Sequence, residues 1–239
     1  MTDGAGPRPS RRWREPAQLQ AIARSIRGDA GPATQRRIKD ALHRIIKREK
    51  LSEVSVLGVA EEAGVSPATF YRYYRDVEHV AQALCMDLIH DLDRAAEFAE
   101  ADWLGPGGEE AALAFVEEFL AHWRRNKAIL RMRNLKAEEG DSFFEDLRVH
   151  MLRRATTALV RRMRGPGVPW GAPEPSVVGN LLVGMLERAG AYQDLYRGGA
   201  QTVARVAASL IYEAVTSRSP AAAASLRLPA WQGSPGRGS

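Results

Sequence analysis

The chain has 239 residues, of which 45% are hydrophobic and 26% are charged, a composition typical of a globular protein with a sizeable core. Its single cysteine, Cys85, excludes an intramolecular disulfide and a cysteine-rich zinc site, and it favours a reducing, cytoplasmic location. The sequence contains no long apolar run, and the segment following Met1 is rich in Arg and Pro. We therefore expect neither a membrane span nor a secretory signal.

The net charge of +5 comes from the first third of the chain. Residues 1–80 contain 15 lysines and arginines against 10 acidic residues, whereas residues 81–239 contain 19 of each. Within residues 8–50 the excess is steeper, with 13 basic residues against 4 acidic ones. This pattern is typical of a protein that binds nucleic acid or an anionic membrane surface. The arginines of residues 8–14 fit either an arm that enters the minor groove of DNA or a solvated tail.

The N-terminal segments predict an extension followed by three helices. Residues 1–10 are rich in Gly, Pro and Ser and predict disorder, and residues 15–27 favour a short helix. An amphipathic helix is predicted over about Thr34–Lys50, with apolar side chains at helical spacing opposite basic ones. A second helix begins after the N-cap Ser55 and ends at Gly64.

The third helix is predicted to start at Ser66, with Pro67 at its first position. No later segment alternates with a period of two, so the prediction is an all-α fold. The later helices are predicted at Val77–Trp103 without a break, 109–126, 128–138, 142–164, 175–196 and 200–217, with a Gly/Pro-rich loop at 165–175 and a tail beyond Ser219.

The segment from Ser55 to Arg75 contains two short helices joined by a glycine corner. Phe70 and Tyr74 lie four residues apart and should face inward. The opposite, outward side is then formed by Ser66, Thr69, Arg72 and Tyr73. Hydroxyl groups can bind phosphates and a guanidinium can reach guanine, so this face has the chemistry of a DNA-reading helix. The alternative is a helical hairpin buried in a core.

The run AEEAGVSPATFYRYYRD, residues 60–76, resembles the helix-turn-helix of TetR-family transcriptional regulators. The resemblance covers about Thr34–Val80 at the level of the motif, and beyond that it is one of architecture. It implies phosphate contacts from Thr69, Tyr71 and Tyr73. It also implies base contacts from Pro67, Ala68 and Arg72, with Ser66 at the edge.

One position departs from the family pattern. Family members often carry a lysine at the start of the fourth helix, where it holds a phosphate, and this chain has Val77 there. This phosphate contact is therefore either absent here or supplied by Arg75.

The resemblance also implies the domain organisation and the partners. The N-terminal part would be a three-helix DNA-binding domain, and the C-terminal part a helical domain for ligand binding and dimerisation. The predicted segments are a basic extension at 1–33, the DNA-binding domain at 34–80, the ligand-binding and dimerisation domain at 81–218, and a disordered tail at 219–239. The expected partners are double-stranded DNA, a small apolar or amphipathic effector and a second copy of the chain, with no membrane, cofactor or metal.

Two groups of residues are predicted for the C-terminal part. Apolar stripes on the last two helices predict a dimer interface that includes Leu182, Met185, Val203, Val206, Leu210 and Ile211. Large apolar groups with polar neighbours predict an effector pocket that includes Phe119, Trp123, Met132, Asn134, Phe144, Met151, Asn180, Glu187 and Tyr192. Each stripe or aromatic side chain could instead belong to the ordinary core of one subunit.

Other function classes find little support in the sequence. It contains no glycine-rich phosphate loop, no H-E-x-x-H and no G-x-S-x-G motif, so an enzyme is not expected. The alternative to a regulator is an all-α small-molecule carrier or enzyme that retains a helix-turn-helix-like hairpin. The arginine cluster between Arg153 and Arg164 could attract an acidic ligand such as an acyl-CoA, or could be a solvated helix face.

Overall fold

Nine helices and no strand make up the part of the chain that the computed structural model describes, residues 31–165 and 174–216. The all-α prediction is therefore confirmed. The helices are α1 (Pro32–Ile45), α2 (Val56–Ala63), α3 (Pro67–Tyr73), α4 (Val77–Asp87), α5 (Asp93–Glu100), α6 (Gly108–Glu138), α7 (Ser142–Met163), α8 (Pro175–Tyr192) and α9 (Gly199–Thr216). None of them has both the length and the apolar character needed to cross a membrane. The predicted helix at 15–27, the arginines of 8–14 and the tail from 219 lie outside the described residues.

The described chain divides into two units, the first formed by residues 31–91 and 125–152 and the second by 92–124, 153–165 and 174–216. The predicted DNA-binding segment 34–80 lies entirely within the first unit. The predicted segment 81–218 is shared between both units. The domain boundaries drawn from the sequence therefore remain a prediction.

The core of the first unit is built on the apolar face of α1. Ile38 and Leu42 are completely buried, and α1 packs against α2 and α4. Val59 and Ala60 of α2 are also completely buried. The small alanine side chain lets neighbouring helices approach closely, and α2 in turn packs against α3. This arrangement holds α2 and α3 on a rigid support.

The predicted continuous helix over Val77–Trp103 is wrong. α4 ends at Asp87 and α5 begins at Asp93, with turns between them. The separately predicted helices 109–126 and 128–138 correspond to the two parts of α6, which is kinked at the non-helical residue Asn126 (φ −119°, ψ 19°). Asn126 Nδ2 donates a hydrogen bond of 3.1 Å to Asp91 Oδ2 in the first break. The contact joins two irregular segments that are 35 residues apart in sequence.

The core of the second unit is aromatic. Trp103 is completely buried, and its indole N–H donates to the carbonyl of Phe98 at 3.0 Å. Its ring centroid lies 6.2 Å from that of Phe115 and 6.5 Å from that of Tyr212. The predicted helices 175–196 and 200–217 correspond to α8 and α9, with a 3-10 turn at Gln193–Leu195 between them. The contacts of Trp103 with Phe98, Phe115 and Tyr212 connect α5, α6 and α9.

The arginine cluster of α7 is used within the second unit. Arg154 Nη1 lies 2.9 Å from Asp93 Oδ1, and Arg162 Nη1 lies 3.3 Å from Asp102 Oδ1. Arg164 Nη2 lies 2.7 Å from Glu174 Oε1. These arginines are ion-paired within the chain, which favours a structural role over the attraction of an acidic ligand.

Candidate nucleic-acid interface

The turn between α2 and α3 has the local chemistry that the sequence predicts. The Oγ atom of Ser55 accepts a hydrogen bond of 3.0 Å from the backbone N–H of Gly58, so Ser55 is the N-cap of α2. Gly64 ends α2 in the left-handed conformation at φ +63°. Ser66 caps α3 by accepting from the N–H of Thr69 at 3.1 Å, and Pro67 occupies the first turn. Each of these predictions is confirmed.

The two sides of α3 differ sharply in burial. Phe70 is completely buried and Tyr74 nearly so, as predicted, and their ring centroids lie 6.1 Å apart. Burial raises the pKa of the Tyr74 hydroxyl strongly, so this group stays neutral. The residues predicted to contact DNA lie on the other side. Ser66, Pro67, Ala68, Tyr71, Arg72 and Arg75 are exposed, and Thr69 and Tyr73 are half-buried.

Tyr71 is the most unusual side chain on this accessible side, because 60% of a large aromatic residue faces solvent. An exposed ring with a hydroxyl at its tip is costly to leave in water and suits a surface that becomes covered. Arg72 is exposed beside it and carries a planar fork of donors. The accessible side of α3 therefore combines hydroxyls, apolar groups and a guanidinium. These are the chemical groups that contact phosphates and base edges in protein–DNA complexes.

The segment after α3 holds Arg75 in a defined position. Arg75 Nε donates to Asp76 Oδ2 at 2.8 Å, and Asp76 is itself the N-cap of α4, accepting from the N–H of His79 at 2.7 Å. The backbone N–H of Arg75 donates to His79 Nδ1 at 3.2 Å. Burial, and then the charge of Arg75, lower the pKa of His79, so its imidazole is neutral near pH 7. Val77, at the position where the family often has lysine, is buried and cannot contact a phosphate.

Many basic residues of the first unit bind within the chain. Lys39 forms an ion pair with Asp87. Arg44 Nε lies 2.5 Å from Glu62 Oε1, and Arg48 Nη2 lies 3.1 Å from Glu62 Oε2. These two hydrogen-bonded guanidiniums lower the pKa of Glu62. Part of the basic excess that predicts a polyanion partner therefore forms ion pairs within the chain. A count of charges cannot distinguish these paired residues from residues that are available to DNA.

The predicted effector-pocket residues divide between the two units. Met132, Asn134, Phe144 and Met151 belong to the first unit, and the remaining five to the second. The large apolar members and Glu187 are buried. Asn134 is half-buried, and its Oδ1 accepts from Arg133 Nη2 at 2.8 Å.

Two of the predicted pocket residues lie at the surface. Asn180 is exposed, and its Nδ2 donates back to the carbonyl of Ser176 at 2.8 Å. Tyr192 is also exposed, and its ring lies under the guanidinium of Arg188, 4.1 Å from the Cζ atom. Both side chains therefore have partners at the surface, and their place in an effector pocket stays a prediction.

A cleft of about 580 Å³ opens in the second unit, and none of the predicted pocket residues line it. Its walls carry charged groups of both signs, with Arg94 and Arg124 beside Glu117 and Glu118. Alanines and Phe98 supply the apolar part of its lining. Arg124 Nη1 also donates to Gln193 Oε1 at 3.1 Å.

The predicted dimer residues differ in exposure. Val206 and Leu210 are 55% and 51% exposed, whereas Leu182, Met185 and Val203 are half-buried. Ile211 is completely buried inside its own chain, so its assignment to an interface is wrong: α9 turns this side chain into the core.

Exposed apolar side chains on α8 extend the same kind of surface. Val177 is 54% exposed and Leu181 is 68% exposed. They lie four residues apart, as do Val206 and Leu210 on α9. All four are apolar in the sequence, but only the structure separates these exposed residues from those that pack in the core.

Chemistry for catalysis is sparse among the described residues. No group of three or more His, Cys, Asp or Glu side chains within 31–165 and 174–216 is placed to hold a metal ion. Cys85 is buried, and burial raises the pKa of its thiol to about 12, so it remains protonated and unreactive.

Comparison with known proteins identifies the family. The family model described as bacterial regulatory proteins, tetR family, matches residues 38–84. The model described as tetracyclin repressor-like, C-terminal domain, matches residues 95–222. A search of curated proteins gives no match.

Solved structures share the fold. The chain resembles the TetR family transcriptional regulator PfmR from Thermus thermophilus, with a TM-score of 0.59 and 20% identity, covering 74% of this chain and 97% of that one. It also resembles the fatty acid degradation regulator FadR from Bacillus halodurans, with a TM-score of 0.61 and 17% identity, covering 77% and 97% of the two chains. The C-terminal family match alone spans more than half of the sequence. The N-terminal match covers the helix-turn-helix formed by α2 and α3. The chain belongs to the tetR family of bacterial transcriptional regulators and is a DNA-binding regulator.

Proposed function

We propose that this regulator is a homodimeric repressor that binds a palindromic operator and is released from it by a small, largely apolar effector. The observation that carries the proposal is the accessible side of α3, with Tyr71 and Arg72 exposed while Phe70 and Tyr74 anchor the helix in the core. Such a helix presents its side chains to base edges without having to rearrange.

Dimerisation follows from the small reach of one recognition helix. A single short helix contacts only a few base pairs, so useful affinity requires two, set about 34–36 Å apart along the DNA. The exposed apolar residues of α8 and α9 supply a surface for this contact. Val177, Leu181, Val206 and Leu210 are large apolar residues that are each more than half exposed, and contact with a second copy would remove them from water.

Release by an effector is proposed as a shift between two states of the dimer. The effector must bind more tightly to the state whose recognition helices no longer match successive major grooves. Phe119 and Trp123 are buried aromatic side chains of the second unit. An apolar or amphipathic molecule would match such side chains better than a highly charged one would.

The DNA-binding part of the proposal is tested by a gel-shift series with genomic fragments and random competitor DNA at moderate salt. We expect a small set of fragments to bind at least about a thousandfold more tightly than random DNA, and we expect them to share a palindrome. If every fragment competes equally, the protein does not read sequence through α3 and the proposal fails.

The effector part is tested by thermal-shift screening followed by addition of each hit to the protein–operator complex. Fatty acids are suitable first probes, because one of the structural neighbours is described as a fatty acid degradation regulator. A true effector raises the melting temperature of the free protein and releases the operator at the same concentration. Hits that raise the melting temperature but leave the complex intact would contradict ligand release.

A further inference from the structure

The last carbonyl groups of α2 need hydrogen-bond donors from outside the helix, because no N–H group within an α-helix can reach its last carbonyls. The turn itself satisfies two of them. The N–H of Val65 donates to the carbonyl of Ala60 and the N–H of Gly64 to that of Glu61, both at 2.9 Å. This is the bonding expected where a helix ends in a left-handed glycine.

The next three carbonyls are satisfied from outside the motif. Arg44 Nη2 donates to the carbonyl of Glu62 at 3.1 Å. Arg37 Nη2 donates to the carbonyls of both Ala63 and Gly64, each at 2.8 Å. Both arginines belong to α1, which precedes the helix-turn-helix, so the backbone of the corner is completed by a helix that is not part of the motif.

Arg37 is the residue that reaches the corner itself. Its guanidinium carries a full positive charge at the negative end of the α2 dipole, and it bridges the last residue of the helix and the turn glycine. A Cβ atom on Gly64 would lie 3.0 Å from Arg37 Nη2, which shows how closely the guanidinium approaches the turn. Ser66, the N-cap of α3, follows two residues after Gly64. The direction in which α3 leaves the corner therefore depends on a conformation that Arg37 holds.

We infer that Arg37 is a positioning residue for operator specificity: it fixes the corner between α2 and α3, and thereby the aim of the α3 side chains, without contacting DNA. Base contacts depend on the angle of the recognition helix, whereas non-specific phosphate contacts depend mainly on charge. Loss of Arg37 should therefore reduce discrimination between sequences more than it reduces affinity for DNA in general. This inference rests on the proposed reading of DNA by α3.

The test compares Arg37→Met, which removes the charge and all donors, with the matched control Arg36→Met, which removes the same charge from the adjacent exposed position. Dissociation constants are measured for a selected operator and for a random duplex over a range of salt concentrations. We expect Arg37→Met to lower the operator-to-random affinity ratio by about tenfold or more, the scale of a charge-assisted hydrogen bond. Arg36→Met should leave that ratio within about twofold of the wild-type value, because this substitution changes only charge.

The readout separates positioning from simple loss of folded protein. A misfolded fraction lowers both apparent affinities by the same factor and leaves their ratio unchanged, so an unchanged ratio for Arg37→Met overturns the inference. A second variant, Arg37→Lys, keeps the charge but lacks the planar fork of donors, and it should restore the ratio only in part. If Arg37→Lys matches the wild type, or if Arg37→Met lowers the salt dependence by about one phosphate contact, Arg37 binds DNA directly and the positioning role is wrong. Failure of the wild-type protein to prefer any operator would instead refute the proposed function.

Discussion

At the scale of single residues, Arg75 and Val77 differ in whether they can contact DNA at the start of α4. Arg75 is fixed on one side by its hydrogen bond to Asp76, which leaves the outer edge of its guanidinium facing solvent. The neighbouring Val77 is buried. We therefore predict that Arg75 supplies a phosphate contact at the start of α4.

Replacement of Arg75 by alanine is predicted to weaken binding to all DNA sequences by a similar factor. The slope of log affinity against log salt concentration should become shallower by the amount that corresponds to about one phosphate contact. Binding releases fewer counterions when the protein neutralises one phosphate fewer. Fluorescence anisotropy with operator and random duplexes measures both quantities, with Arg94→Ala in the second unit as a control for charge. A change in sequence preference would show that Arg75 reads a base.

The pH dependence of stability is predicted from His79 and His43, whose pKa values are both lowered, chiefly by burial. The unfolded chain then binds more protons than the folded chain below about pH 6.5, so the free energy of unfolding falls as the pH drops through this interval. Melting temperatures at about pH 7.5 and about pH 5.5 measure the loss. His79→Asn keeps an acceptor near the position of Nδ1 but cannot be protonated, so it should lose less stability than the wild type. An equal loss in both proteins would show that His79 does not titrate in this range.

At the scale of helices, the glycines of α8 have different roles. A Cβ atom on Gly190 would lie 2.4 Å from Cγ of Trp123, and one on Gly179 would lie 2.9 Å from Cγ2 of Val160. Both glycines are needed for close packing inside the chain. A Cβ atom on Gly184 would meet nothing within 4 Å.

A matched pair of substitutions tests this difference. Gly190→Ala is predicted to cost about 1–3 kcal/mol of stability, because the indole ring of Trp123 must move. Gly184→Ala is predicted to be neutral or to add up to about 1 kcal/mol through helix propensity. Urea denaturation at one fixed protein concentration measures both. Equal effects of the two substitutions would contradict the packing seen at Trp123.

What could be predicted from the sequence depended on how local the interactions are. Ser55, Gly64 and Ser66 were predictable because each forms its defining hydrogen bond within a few residues. The break between α4 and α5 was missed because Asp91 carries no local breaking signal, and its partner Asn126 is far away in the chain.

The interior of the C-terminal part shows the same limit. Aromatic content predicts a core, but it cannot show that Asn180 and Tyr192 face outward or that a charged cleft opens elsewhere. The roles of Arg37 and Arg44 were missed for a related reason: their acceptors lie in another helix, so the sequence shows only positive charge.

At the scale of the whole molecule, the proposed binding to a palindrome requires two copies of the chain. The exposed apolar residues proposed for dimerisation lie on α8 and α9, and the residues proposed to read DNA lie on α3. Each function has its own surface, so a substitution can impair one and leave the other intact. This separation makes dimerisation testable without altering α3.

Leu210→Glu is predicted to shift the dimer toward monomer, because a carboxylate in an apolar interface loses its hydration without a partner. Sedimentation velocity should show the smaller species, and affinity for the full palindrome should fall much more than affinity for a single half-site. Leu135→Glu alters an exposed leucine in the first unit and serves as the control. A fully dimeric Leu210→Glu protein would exclude this part of α9 from the interface.

The central claim is that the accessible side of α3 reads base edges, and the operator-to-random affinity ratio of Arg72→Ala tests it most directly. If α3 reads base edges, this substitution lowers the ratio by a factor equivalent to about 1–3 kcal/mol, because a base contact is lost while the phosphate contacts remain. The preference at one position in each half-site should also relax when binding sites are selected again from random DNA. An equal loss of affinity for operator and random DNA, or no loss for either, would contradict the claim.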